Sequence, residues 1–223
     1  YTGTQVTESS LYPWMRERLR VTAAGTETNI ALYYSRLRDQ RQLTDPERYG
    51  EALALLGSDR ASAAVPTLRA LLDAHPEITA LYGSLGAALQ AAGQNSEALS
   101  VFDRALRLFP RNVPLSVRYA EALMQSGKSR QAHDLLLDLF NNVPPTPAQI
   151  RLTALAASAA GDMGDAYYYM AEYHLSGGDL PLANQQATWS ASYSLVMHFD
   201  ETSGAHADST ANGNNSSVID VQT

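Results

Sequence analysis

Residues 82–110 read YGSLGAALQAAGQNSEALSVFDRALRLFP. Apolar residues keep helical spacing on both sides of Gly93, which predicts two helices joined by a glycine turn. Pro110 ends the second helix, because proline lacks an N–H and crowds the preceding turn. The prolines then show that the hairpin is repeated: Pro76, Pro110 and Pro144 stand 34 residues apart. Twelve residues before each lie Ala64, Ala98 and Ala132, eight before lie Leu68, Phe102 and Leu136, and five before lie Leu71, Ala105 and Leu139. Gly93, Gly127 and Gly161 keep the same spacing and carry the period into a further copy.

A period of 34 residues is that of the tetratricopeptide repeat, a helix–turn–helix unit that buries its apolar face only by stacking on its neighbours. The fold expected is all-α, a solenoid of about four helical hairpins wound into a right-handed superhelix, with an irregular C-terminal tail. Thr79–Asn112 is the best copy. Tyr82, Leu85, Gly86 and Leu89 define its helix A, while Ala98, Phe102, Ala105 and Pro110 define helix B. Gly86 and Ala98 are small so that the two helices can approach, and Phe102 is expected to fill the gap towards the next repeat. The third copy has Ser116, Tyr119, Ala120 and Leu123 in helix A. The first has Arg48, Glu51, Ala52 and Leu55, and Arg48 at a bulky position marks it as a terminal, capping-like copy. The fourth starts near Pro147 and turns at Gly161; DAYYYMAEYHLS then follows and also serves as helix A of a last copy.

Three segments follow: a helical lead over 1–44, the solenoid over 45–193 and a polar tail over 194–223. In the lead, SLYPWMRERLRVTA and TNIALYYSRLRDQ read as amphipathic helices, with Leu11, Trp14, Met15 and Leu19 available to cover the solenoid end. The tail is rich in Gly, Asn, Ser, Thr and Asp. SLVMHF and SSVIDVQ within it could each form a short strand, marginal without partners.

Composition narrows the function. A net charge of −7 argues against nucleic-acid binding, which needs a basic face. No cysteine is present, which excludes disulfides, thiol catalysis and Cys-ligated zinc. No apolar run of transmembrane length occurs. SGKS at 126–129 lacks the phosphate loop's earlier glycine, since position 122 is Ala, and reads as an inter-helix turn. Asp208, Thr210, Asn212 and Gly213 partly match a calcium loop, but Ile219 stands where a bidentate Glu is needed, so a polar turn is expected. His75, His133, His174, His198 and His206 are scattered, with no i, i+4 pair, and read as surface or helix-end residues; no metal site is assigned. Asp162, Asp165 and Asp179 sit at turns as caps, Asp200 lies in the tail, and no catalytic residue is assigned. Of Tyr167, Tyr168, Tyr169 and Tyr173, most are expected to pack in the core, with one or two exposed.

The candidate partner-binding groove comprises Tyr82, Gln90, Val117, Arg118, Glu121, Met124 and Arg151. Helix A positions 2, 5, 9 and 12 face the concave side in such repeats; here they are Ala80, Gly83, Ala87 and Gln90, then Pro114, Val117, Glu121 and Met124. The surface is neutral to apolar and suits segments of protein chain better than a charged tail.

RYGEALALL, LFPRNVPLSVRYAEALMQSG and AYYYMAEYHLSGGDLPLA give residues 8–190 a further resemblance. The chain resembles the C-terminal region of BepA-type bacterial periplasmic zinc metalloproteases. That resemblance implies a zinc peptidase domain before residue 1, using H-E-x-x-H, with zinc only there and no cofactor in this chain. It implies a periplasmic location, and as partners the outer-membrane protein assembly machinery or unfolded outer-membrane proteins. None of the five histidines here lies in H-E-x-x-H, so this chain alone is expected not to be a protease. The tail departs from the family and resembles the start of a laminin-G or concanavalin-like sandwich, too short to complete one. The alternatives are a free-standing repeat adaptor, or an adhesion-type protein whose sandwich the tail begins.

Overall fold

Four glycines set the pitch of the chain. Gly93, Gly127, Gly161 and Gly178 adopt φ values of 75°, 72°, 84° and 78°, a left-handed region that costs other residues strain. At each, the glycine N–H donates to the carbonyl three residues back, and the next N–H donates to the carbonyl five back. These paired bonds use carbonyls that a helix end otherwise leaves without partners.

A computed structural model describes residues 9–24, 29–58 and 60–197. Among them the helices are α1 (Tyr12–Ala24), α2 (Asn29–Gln40), α3 (Asp45–Gly57), α4 (Ala61–Ala74), α5 (Thr79–Ala91) and α6 (Asn95–Leu108). They continue with α7 (Val113–Gln125), α8 (Ser129–Phe140), α9 (Pro147–Ala160), α10 (Met163–Ser176) and α11 (Leu180–Met197). No strand occurs among the described residues, and the all-α hairpin arrangement agrees with the 34-residue reading. Packing divides the chain into two units, Tyr1–Arg118 and Tyr119–Thr223.

In the first unit, α3 packs on α4, α4 on α5 and α5 on α6, while α1 packs on α3 and α3 on α5. Ala64, Leu68, Leu71, Ala98, Phe102 and Ala105 are all fully buried. The columns extend further back than the sequence reading took them. Tyr34 and Ile30, each 34 residues before Leu68 and Ala64, are buried as well. The lead is therefore a degenerate hairpin in the same register, and the copy with Arg48 is not terminal. Arg48 pairs with Asp45 at 3.0 Å; its neighbour Tyr49 is the buried bulky residue, with its hydroxyl 3.0 Å from Ser84 Oγ. Trp14 is buried against Tyr49 and His75, with ring centroids 5.7 and 5.0 Å away, whereas Leu11 and Leu19 are exposed.

Phe102 also packs within its own hairpin. A Cβ on Gly86 would lie 2.3 Å from Phe102 Cζ, so the ring rests on helix A of its own repeat. The same two columns hold Ala52 with Leu68 and Ala120 with Leu136, and all four are buried. A larger side chain on helix B thus goes with a smaller one on helix A.

In the second unit α8 packs on α9, α9 on α10 and α10 on α11. Ala132, Leu136 and Leu139 are buried. SLVMHF begins at Ser194, and its first four residues continue α11 to Met197 instead of starting a strand. A running helix supplies each new N–H with a carbonyl four residues back, which an unpaired strand cannot do. SSVIDVQ and the calcium-loop match lie outside the described residues.

The A helices begin at positions again 34 apart: Thr44, Ile78, Asn112 and Thr146 precede α3, α5, α7 and α9. Asn112 Oδ1 accepts from the Leu115 N–H at 3.2 Å. The Thr146 N–H donates to Gln149 Oε1 at 2.8 Å, and the Thr44 N–H donates to Glu47 Oε2 at 2.9 Å. Glu47 is nearly buried and also takes two bonds from the Arg41 guanidinium, at 2.5 and 2.8 Å. The Arg41 bonds first, and the Thr44 donors next, hold its carboxyl down at about 2 despite burial.

Two predictions follow from these contacts. Gly86→Ala should destabilise the chain by about 1–3 kcal/mol in urea unfolding, since the added methyl overpacks the ring. Gly86→Ala with Phe102→Leu reproduces the pairing of the flanking repeats and should cost clearly less than the sum of the single changes; strict additivity would refute the size coupling. The Glu47 carboxyl is depressed in the folded state, so its contribution is complete above the ordinary value of 4.5 and is lost as pH falls towards about 2. Melting temperature should therefore drop more steeply over that acid range in the native chain than in Glu47→Gln, where Gln keeps the cap as Gln149 does.

Candidate functional site

One face of helix α5 carries small residues. Ala80, Ala87 and Gln90 are half-buried, and Gly83 between them is covered. A Cβ on Gly83 would meet Arg118 Cδ at 3.6 Å and Leu115 Cδ2 at 3.8 Å. The aliphatic stem of Arg118 therefore lies across α5, and the residue stays half-exposed above a neutral floor. Val117 is half-buried beside it in sequence. These residues, with Gln90, form the part of the expected groove that belongs to the first unit.

Tyr82 does not belong to that surface. It is fully buried; its hydroxyl donates to the Pro76 carbonyl at 3.1 Å and its ring meets Phe109 edge-on at 5.8 Å. Its bulk locks the turn before α5 to the end of α6, so no partner reaches it. Glu121, Met124 and Arg151 lie in the second unit, where Glu121 and Arg151 are exposed and Met124 is half-buried.

The second unit also shows an aromatic surface. None of Tyr167, Tyr168, Tyr169 and Tyr173 is fully buried: Tyr168 is 45% exposed and the others are half-buried, against the expectation of core packing for most. The buried residues of α10 are instead Gly164, Asp165 and Ala166, all in its first turn. Tyr168 and Leu175 are exposed seven residues apart on α10, as are Leu182 and Trp189 on α11, so each pair shares a stripe. Tyr167 meets Trp189 at 5.6 Å. Burial first, and the Asp165 charge next, push the Tyr169 hydroxyl up to about 12. On the outer side of α2, Leu32, Tyr33, Arg36, Leu37 and Gln40 line an open hollow of about 450 Å³.

Two polar clusters escaped the sequence reading. In the first unit Glu17 is fully buried. It accepts from Tyr34 Oη at 3.0 Å and from Arg20 at 2.5 Å, and Arg16 lies 3.1 Å away. Burial, then the Glu17 charge, holds the Tyr34 hydroxyl well above its ordinary range. In the second unit His133 is buried, not on the surface, and faces Asp165; with Asp162 they are the group of possible metal ligands gathered among the described residues. The register held the signal. His133 continues a column with Val65 and Leu99, both buried, so a histidine there enters the core. Asp162 and Asp179 do cap helices as expected, accepting from the Asp165 and Leu182 N–H groups at 3.2 and 3.3 Å.

Comparison with known proteins agrees with this architecture. A tetratricopeptide-repeat family model matches residues 89–158, and a bacterial transcriptional activator domain model matches residues 20–112. No curated protein matches the chain. Among solved structures, a thermophilic tetratricopeptide-repeat protein of Thermus thermophilus is 19% identical with a TM-score of 0.59, over 81% of this chain and 98% of that one. YrrB, described as having an unusual peptide-binding site, is 15% identical with a TM-score of 0.56, over 82% and 94%. MamA from Desulfovibrio magneticus is 16% identical with a TM-score of 0.51, over 71% and 97%. At these identities the likeness shows the fold alone: an all-α array of helical hairpins arranged as in tetratricopeptide repeats.

Gly83 offers a check on the floor of this surface. Its Cβ would make ordinary contacts only, so Gly83→Ala should raise stability by roughly 0.5–1 kcal/mol through the lost flexibility of a mid-helix glycine. A destabilised variant in urea unfolding would mean that Arg118 or Leu115 packs closer to Gly83 than ordinary contact.

Proposed function

We propose that this chain is a protein-docking module, the non-catalytic part of a BepA-type periplasmic zinc metalloprotease acting in outer-membrane protein assembly and quality control. Stacked tetratricopeptide hairpins are an architecture for binding protein segments. The observation that carries the docking role is the α5 surface, a half-exposed run of Ala80, Ala87 and Gln90 with the single cation of Arg118 above it. Such a floor accepts an extended or helical segment of mixed sequence, and Arg118 supplies one polar anchor. The segments RYGEALALL, LFPRNVPLSVRYAEALMQSG and AYYYMAEYHLSGGDLPLA support the protease setting. In this reading the repeats hold an assembly partner or a misfolded outer-membrane protein near a zinc site carried elsewhere in the parent. A free-standing adaptor would use the same surface without the peptidase.

A second setting is favoured by the match of residues 20–112 to a bacterial transcriptional activator domain: the hairpins would then be the interaction part of an activator. The coding sequence upstream discriminates the two. An H-E-x-x-H in frame supports the protease, and a DNA-binding domain supports the activator.

Docking itself is tested with fluorescent peptides taken from outer-membrane barrel strands. Arg118→Glu should weaken binding about tenfold, or ~1.4 kcal/mol, with an unchanged helical circular-dichroism spectrum. Unchanged affinity would remove the groove from the proposal.

A further inference from the structure

His133 is 1% exposed, and neither ring nitrogen has a hydrogen-bond partner. Its Nε2 lies 3.3 Å from Asp165 Oδ2, a charge-pair distance without hydrogen-bond alignment. Asp165 is itself buried, in the first turn of α10. Asp162, the residue just before that helix, uses one carboxylate oxygen to cap it and is half-exposed. One ligand atom from each of the three residues falls within 4.8 Å of the others.

We propose that His133, Asp162 and Asp165 bind a divalent transition-metal ion of the zinc type, which clips α8 to the start of α10. A buried imidazole with no partner is rare, because the desolvated nitrogen loses its bonds to water without replacement. Here it faces two carboxylates, so the missing partner is a cation. One nitrogen and two carboxylate oxygens make a borderline donor set that suits zinc, cobalt or nickel; calcium and magnesium prefer oxygen alone. Spacing agrees as well. Two donors on a tetrahedral zinc, with bonds of about 2.0–2.1 Å, stand about 3.3–3.4 Å apart. The separation of His133 from Asp165 is 3.3 Å. Asp162 closes the set by turning its half-exposed carboxylate, and water takes the fourth position. The same residue gives the ion a path from solvent.

The register explains how the site arises. Arg60, Gln94, Lys128 and Asp162 precede α4, α6, α8 and α10 at 34-residue spacing, and Asp162 is the one that caps with its side chain. His133 is likewise the polar member of its column after Val65 and Leu99. Two departures from the repeat meet at one point.

Cobalt(II) titration of the full chain, stripped with a chelator, tests the site. The result expected is a saturable visible band of a tetrahedral ion at one equivalent, displaced by zinc, and a melting temperature raised by zinc. Asp162→Asn keeps a good helix cap and should weaken uptake at least tenfold. His133→Leu restores the residue of the preceding repeat at that column, should stay folded, and should abolish the band. No one-equivalent uptake by the native chain overturns the proposal and leaves a simple His133–Asp165 charge pair. Uptake unchanged in both variants also overturns it, assigning the metal to other histidines.

Discussion

The Phe102 ring needs the space that Gly86 leaves. A methyl on that glycine would lie 2.3 Å from the ring, inside any real contact. Hairpins of 13- and 14-residue helices, such as α5 and α6, have little apolar face of their own and must approach closely to bury it. Each therefore pairs a small residue on the first helix with a large one on the second: Ala52 with Leu68, Gly86 with Phe102, Ala120 with Leu136. In the hairpins of Gly86 and Ala120, left-handed glycine turns at Gly93 and Gly127 keep the two positions in register. Gly178 repeats the turn after α10, so that helix closes one hairpin and leads into α11 by the geometry that A helices use.

Periodic features were legible because periodicity multiplies a weak signal. Pro110 alone says only that a helix stops; Pro76, Pro110 and Pro144 together announce an architecture. The degenerate hairpin of α1 and α2 was missed because its columns carry different chemistry. Tyr34 stands where the others have Leu or Phe, and its hydroxyl crowds Gly50, where a Cβ would fall 2.1 Å away. Its partner position on helix A is Arg18, not Ala or Gly. Register survives there while residue type does not. Tyr82 was misplaced in the groove for the opposite reason: tyrosine is common on recognition surfaces, and only its packing on Phe109 and the Pro76 carbonyl shows that this one is interior.

Buried polar groups were the least legible part. Glu17 and His133 look like ordinary surface residues in a helix. Their burial follows from neighbours distant in sequence, Tyr34 for one and Asp165 for the other. Glu17 is supplied with a hydroxyl and guanidinium groups, which offset its desolvation. Glu47 is similarly satisfied by Arg41 and Thr44. These carboxylates fasten helix starts and hairpins that the apolar columns alone would hold loosely. The candidate docking surface differs, since the stem of Arg118 lies over Gly83 and the residue stays half-exposed.

The placement of tryptophan has a spectroscopic consequence. The chain has two, one in each packing unit. Trp14 is 5% exposed between Tyr49 and His75, whereas Trp189 is 43% exposed beside Tyr167. A shielded indole emits at shorter wavelength than a wet one. The two units therefore carry differently coloured labels of their own, and the loss of blue emission during unfolding reports the first unit without any added dye.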